Sequence, residues 1–319
     1  MTDLVTFGET ALRLSAPEQG RLARADRAAL HADGMESSVA VAAAAAGLDA
    51  TWVSKLPDSP PGRRVAAEVR RHGVDAVIEP ATEGRMGIVY HEPGVEPRPA
   101  GRWHDRGDTT AATVIPDDLP MDRVQTADVV FSGLGTPALS ADAAETTGAM
   151  LRAGSGGGAT AALAVEYDDR RHDPDRLGQL FHRLLDHVQV VFVSEEHAKA
   201  VLDLRGQPRE LANTMVAEYD IEMAVIARTD RGAVLMQDTP GTNVMHERMA
   251  VEGRTVDESG STEAFVGTFL ARLARDAEPA SALSAGVAAA ALARAEPGPM
   301  LSATRDEIDE VAERVDRAG

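Results

Sequence analysis

The sequence contains no cysteine, which removes disulfides, thiolate nucleophiles and Cys-ligated zinc together. Lysine is nearly absent: only Lys55 and Lys199 occur, so the basic residues are almost all arginine. Long apolar runs are missing too. The longest, Val39 to Ala46, falls far short of the roughly 20 residues that a membrane span needs. The N-terminus begins on a strand-like Val5-Thr-Phe-Gly-Glu9 with no basic, apolar leader, so a cytoplasmic protein is expected. The nine histidines show neither the HxxxH nor the HxH spacing of a zinc site. Positive charge is outweighed: 51 acidic residues against 32 basic ones give a net charge of −19, which makes nucleic acid and anionic membranes unsuitable partners. An acidic, lysine-poor surface with 3% aromatics suits concentrated salt, where self-repulsion is screened within about 3 Å at 1 M. A coding bias toward Ala, Arg and Gly is the plainer account of the same composition.

What is present reads as α/β. At 319 residues the chain allows one large domain or two modest ones, either with a full core. Leu4 to Glu9 reads as a strand, Val39 to Ala46 as a buried helix ending at Gly47, and Thr51 to Ser54 as the next strand, a βαβ opening. Arg63 to His72 reads as a helix closed by Gly73. Gly87 to His91 and Ala100 to Asp105 flank a Pro/Gly-rich stretch and read as a hairpin. The short apolar runs Val129 to Phe131, Ala161 to Val165, Val188 to Val193 and Met223 to Ala227 alternate with helical patterning, as central parallel strands do. The GSGGG at Gly154 to Gly158 lacks the following Lys-Ser/Thr of a phosphate loop and is expected to be a connecting turn after the helix Ala141 to Ala153. The last third is helical over Ala264 to Arg275, Ala280 to Ala295 and Thr304 to Arg317.

Chemistry is most legible at Val256-Asp-Glu-Ser-Gly-Ser-Thr-Glu-Ala-Phe265. A loop of small residues opens directly into a helix, so free backbone N–H groups and the positive end of the helix dipole face one point, a candidate anion site. Glu263 at the helix start could cap the helix or accept a proton from a nucleophile facing a bound phosphate. A merely capped helix explains the same residues.

The stretch resembles the C-terminal hallmark of the ribokinase-like (PfkB) sugar kinases, D-x-x-G-A-G-D-A-F followed by a glycine and a second Phe: Asp257, Gly260, Ala264, Phe265, Gly267 and Phe269 fit. The resemblance extends through Gly8-Glu9, Gly34-Met-Glu36-Ser-Ser-Val39-Ala-Val-Ala42, Leu56-Pro-Asp58-Ser-Pro-Pro-Gly62, Thr136-Pro-Ala-Leu-Ser140 and Ser194-Glu-Glu196. Within the family the Glu36-to-Val39 spacing and the TPALS run are most similar to 2-keto-3-deoxygluconate kinase. The resemblance implies an α/β/α sandwich with a mostly parallel central sheet and a small β lid drawn from about residues 12–33 and 86–106, all in one kinase domain over residues 1–319. It also implies ATP with Mg2+, a sugar or sugar acid as substrate, and a possible homodimer through the lid.

Carried over by position, the resemblance assigns the anion hole to Gly260, Ser261 and Thr262 with Glu263 as base, and the substrate to Gly34, Ser38, Val89, His104, Arg106, Gly135 and Asp168. It assigns the nucleotide to Ser194, Arg228, Thr229, Gly232 and Gly260, with no protein metal cage. Several of these depart from the pattern. Glu263 replaces the family's Asp, displacing the acid by one methylene, and a β-branched Thr262 stands where glycine lets backbone approach phosphate. Ser38 replaces an Asn, Asp33 a glycine, and His104-Asp-Arg106 a Tyr-x-Arg. In Ala164-Val-Glu166-Tyr-Asp168 an arginine that would hold an acid sugar's carboxylate is a carboxylate, an exchange expected to repel the standard keto-acid. Three readings follow: an active kinase with a changed, neutral or cationic, substrate; a paralogue that keeps the fold with little turnover; and a structural protein that uses the lid as a dimer surface.

Overall fold

The computed structural model describes residues 2–17, 20–95, 97–228 and 230–318. Strand β1 (Leu4–Phe7) leads through β2 (Ala11–Ser15) and β3 (Ala29–Asp33) into helix α1 (Met35–Ala45). Then come β4 (Ala50–Pro57), α2 (Pro60–Arg71), β5 (Asp75–Ala81) and the hairpin β6 (Ile88–Glu92) and β7 (Gly101–Asp105). The short α3 (Met121–Gln125) precedes the alternating set β8 (Val129–Gly133), α4 (Ala141–Gly157), β9 (Thr160–Val165), α5 (Pro174–Leu184) and β10 (Val190–Ser194). After α6 (Glu195–Leu202), α7 (Pro208–Tyr219) and β11 (Met223–Ala227), the hairpin β12 (Ala233–Thr239) and β13 (Thr242–Arg248) leads to α8 (Ser261–Leu273), α9 (Pro279–Arg294) and α10 (Arg305–Ala318).

The strands form a nine-stranded sheet in the order β13-β12-β11-β10-β9-β8-β1-β4-β5 and a separate four-stranded sheet in the order β3-β2-β6-β7. From β5 to β11 the large sheet is parallel; only the β11–β12 and β12–β13 pairs are antiparallel. Its strands are Val- and Ala-rich because helices cover both faces, leaving no solvent side to mark with polar alternation. One apolar layer lies against α1, α8 and α9 and includes Trp52, Phe131, Phe192, Phe265 and Phe269. The other lies against α4, α5 and α7 and includes Phe7, Leu163, Phe181 and Ile226.

The helix starts carry local signals. Ser59 accepts a hydrogen bond from the Gly62 N–H, with Pro60 opening α2; Asp173 accepts from Asp175 N–H, with Pro174 opening α5. Gly267 lets α8 lie against α1: a Cβ there would sit 2.3 Å from the Val39 carbonyl oxygen.

Three elements differ from the sequence expectation. The glycines at 154 to 157 are not a turn but the last turn of α4, and only Gly158 leaves it, at φ +96°. A Cβ at Gly154 would strike the Val130 side chain at 2.6 Å and one at Gly157 the Gln125 carbonyl at 2.2 Å, so these positions serve close packing. Strand β5 and the β12–β13 hairpin were not expected. The β13 sequence Thr242-Asn-Val-Met-His-Glu-Arg248 carries mostly polar, exposed or half-exposed side chains and lacks an apolar run, whereas β12 holds the buried run Ala233 to Met236.

Candidate active site

The C-terminal ends of β9, β10 and β11, the inner face of β7 and the start of α8 enclose a cavity of about 480 Å3, within the range of small-molecule sites. Its walls bring together His104, Asp168, Ser194, Arg228, Thr262 and Glu263 from widely separated segments.

At the α8 end, Gly260 is the N-cap residue at φ +78°, and a Cβ would meet the Pro299 carbonyl at 2.2 Å. Only glycine fits there. Thr262 is already inside α8, exposed, so its backbone needs no left-handed conformation and its cost to an approaching phosphate is bulk alone. Ser261 is buried. Burial pushes the Glu263 carboxyl up to about 7 against a hydrogen bond from its own amide, with the Asp33 carboxylate adding to the rise. The acid is thus poised near neutrality, where a general base exchanges protons most effectively. Just before this loop Asp257 accepts from Ser259 N–H (3.0 Å) and Gly298 N–H (3.1 Å) and pairs with the buried Arg13 of β2 at 3.0 Å. Burial opposes its ionisation, yet Arg13 and the amide donors hold it down at about 2.

Asp168 behaves differently from its sequence reading. Its Oδ1 accepts from Arg170 N–H (3.0 Å), and its carbonyl accepts from Arg171 N–H (3.0 Å) and His172 N–H (2.9 Å). The aspartate therefore builds a tight turn, which brings Arg171 and His172 onto the cavity wall. The Arg171 guanidinium makes no hydrogen bond or ion pair with any described residue, and burial, then the nearby Arg106, lowers its pKa to about 10. Carboxylate repulsion was expected at Asp168; instead a guanidinium reaches the cavity three residues later in the chain. The other Asp168 oxygen lies 3.1 Å from His104 Nε2. His104 stays neutral, its pKa driven to about 3 by burial and the neighbouring Arg171 and Arg102.

Several sequence candidates lie elsewhere. Arg106, expected to bind the substrate, is committed to Glu9, which it contacts at 2.8 Å through Nε and 2.5 Å through a terminal nitrogen; Thr109 Oγ1 donates to the same carboxylate at 2.8 Å. Val89 is fully buried in the small sheet and Ser38 is buried in α1, so neither side chain reaches the cavity. Gly34 is the N-cap residue of α1 beneath Glu9 and Thr10. The Gly135 N–H donates to Glu166 Oε1 at 3.0 Å. Arg228 pairs with Glu247 at 2.9 Å while lining the cavity, and Ser194 caps α6 by accepting from His197 N–H at 3.1 Å. Gly232 lies on a smaller crevice behind Ser261 and Thr262, with Phe265 and Ala290. Thr229 lies outside the described residues.

Residues that sequence reasoning passed over are Arg102, Arg171 and His172 on the wall, and Arg13 behind it. The cue for Arg171 and His172 was the Asp168-Asp-Arg-Arg-His172 run, whose first aspartate can close a turn on its own backbone.

A model of the pfkB family of carbohydrate kinases matches residues 1–306. The chain belongs to the pfkB carbohydrate kinase family. Among curated relatives in it, a 2-dehydro-3-deoxygalactonokinase of Haloferax volcanii is 39% identical over 309 residues, 97% of this chain and 96% of that protein. Two solved structures show the same fold. A 2-dehydro-3-deoxygluconokinase of Thermotoga maritima superposes with TM-score 0.88 at 24% identity, covering 98% of this chain and 100% of that one. An E. coli chain described as a candidate ribokinase II, in complex with ATP and Mg2+, gives 0.86 at 14% identity over 98% and 100%. PfkB kinases use ATP. Among the described residues no three His, Asp or Glu side chains are grouped to hold a metal ion, and no helix is long and apolar enough to cross a membrane.

Proposed function

We propose that this PfkB protein transfers the γ-phosphoryl group of ATP to a hydroxyl of a 2-keto-3-deoxy sugar acid, of the kind its 39%-identical relative is named for. The observation that carries the reading is the unpaired Arg171 guanidinium in the same cavity as Glu263. Arg171 binds the substrate's carboxylate as a bidentate partner. Glu263 takes the proton of the attacking hydroxyl, and the Gly260 and Thr262 N–H groups, which donate to no described residue, stabilise charge on the phosphoryl oxygens. The triphosphate is assigned to the loop from Gly260 to Thr262, with its base toward the crevice beside Gly232 and Phe265. Magnesium would supply neutralisation of phosphate charge when bound, and would be held chiefly through phosphate oxygens and water. The small sheet serves as the lid of a single kinase domain in the cytoplasm. Its exposed row Leu30, Tyr90 and Trp103 is the surface for a second copy. The reading of an inactive paralogue rested on departures at the anion hole and on the sugar side together; the turn that presents Arg171 bears on one of them, Asp168.

The test is ADP release with ATP and Mg2+ in molar KCl, over a panel of sugar acids and neutral sugars. Wild type should prefer a keto-deoxy acid, with a rate that rises with pH through about 7 as Glu263 deprotonates. Glu263→Gln should lower kcat by about 100- to 10,000-fold with ATP affinity nearly unchanged. Arg171→Gln should instead raise KM for the acid by roughly 10-fold or more. Turnover of neutral sugars only, or indifference to both substitutions, refutes the reading.

A further inference from the structure

His172 stands beside Arg171 on the cavity wall, and nothing in the reaction above uses it. Its two ring nitrogens have different surroundings. Nδ1 accepts a hydrogen bond from the Asp168 backbone N–H at 3.2 Å. An acceptor nitrogen carries no proton, so in the neutral ring the proton is on Nε2. Nε2 is buried and has no hydrogen-bond partner. A buried donor without a partner is costly, and such groups are normally satisfied by protein, water or ligand. The ring is neutral near pH 7, since burial and the adjacent Arg171 lower its pKa to about 4. The same turn therefore fixes two things: it sets the histidine's tautomer through Nδ1, and it places the Nε2–H donor next to a guanidinium that also lacks a partner.

We propose that His172 is a specificity-determining residue that donates its Nε2–H to the anionic end of the substrate held by Arg171. This rests on the reading of the cavity as a sugar-acid site. Arg171 supplies charge, and His172 supplies a directed donor that costs no ionisation. Together they distinguish a carboxylate, which can accept from both, from the hydroxymethyl end of a neutral sugar, which lacks the charge.

Two isosteric substitutions separate a direct role from support of the turn. In His172→Asn the amide oxygen can still accept from the Asp168 N–H, but nothing reaches the place of Nε2. In His172→Gln the amide nitrogen reaches that place as a donor, and the acceptor near Asp168 is lost. Dissociation constants are measured by calorimetry for 2-dehydro-3-deoxygalactonate and, separately, for ATP. We expect His172→Asn to weaken acid binding by about 10- to 100-fold, the worth of a hydrogen bond to a charged group. His172→Gln should stay within about 3-fold of wild type, and ATP binding should be unchanged in both. The opposite pattern, Asn tolerated and Gln not, makes His172 a support of the turn and overturns the proposal, as does wild-type affinity in both variants. If wild type itself binds no sugar acid, the function reading fails and this inference falls with it; a wild type that binds the acid while His172→Asn binds equally well refutes the inference alone.

Discussion

Strands β8 to β11 of the large sheet turn Val129, Phe131, Leu163, Val191 and Ile226 into the core, whereas β2, β6 and β7 of the small sheet place Arg13, His91, Arg102 and His104 on the face toward the cleft. Both sheets obey the same two-residue alternation. What differs is the cost of burial. An apolar side chain is stabilised by leaving water whatever it meets, while a buried arginine or histidine needs a partner with the right charge and geometry. The large sheet is therefore held by many interchangeable contacts, and the small sheet by a few specific ones, such as Arg13 with Asp257 and Arg102 with Asp33 at 2.6 Å.

Substitutions that touch one sheet at a time test that contrast. Phe192 on β10 packs edge-on against Phe265 and Phe269 of α8, with ring centroids 6.3 and 5.3 Å away. Phe192→Ala should cost about 3 to 5 kcal/mol in urea unfolding, and Phe192→Leu much less, because shape matters there more than identity. A Leu variant as damaging as the Ala variant would show that the large sheet, too, depends on specific contacts.

In the small sheet, Arg13→Met should cost about 3 kcal/mol by stranding Asp257. Arg13→Met with Asp257→Asn should recover part of that loss, since the Ser259 and Gly298 N–H groups still find an oxygen. With Asp257 held at about 2, its contribution is present above the ordinary carboxylate value of 3.8 and is lost as pH falls through 2. The gap between wild type and the single variant should therefore narrow in acid. Strict additivity of the two substitutions would dissolve the pair as a unit.

A pH-dependent effect belongs to the seam between the sheets. Glu36, buried at the start of α1, accepts from Gly133 N–H (3.0 Å) and Thr136 Oγ1 (2.7 Å), and burial together with Glu166 raises its pKa to about 8. A raised carboxyl favours folding most below its unfolded value, near 4.5, and that contribution is lost as pH rises through about 8. Wild-type stability should decline across this window, and Glu36→Gln should flatten the decline in melts taken from pH 5 to 8. An unchanged slope would mean that Glu36 is ionised in the folded protein.

The contrast also explains what could be read in advance. The parallel strands, the helix closed by Gly47 and the Asp257-to-Phe269 signature were legible because each is written within about fifteen residues of sequence. Strand β13 was not, since an edge strand whose side chains are exposed or half-exposed lacks the apolar run that marks its neighbours; β12 does carry such a run, Ala233 to Met236, and was passed over. At the site, Glu263 and the small-residue loop were legible as residue types at a helix start. Arg106 was misjudged as free to bind substrate, because its partner Glu9 lies 97 residues away.

By itself the sequence determined the fold class, the family signature and the acid at the head of α8, because apolar period, turn glycines and helix starts act between near neighbours in the chain. Only the tertiary structure decided which charges are spent and which are free. Arg13 meets an aspartate 244 residues distant, Arg106 is neutralised by Glu9, and Arg171 is left open by a turn that Asp168 closes on its own backbone. Charge pairing depends on through-space distance and on the desolvation each group has already undergone, and neither quantity exists until the chain has folded.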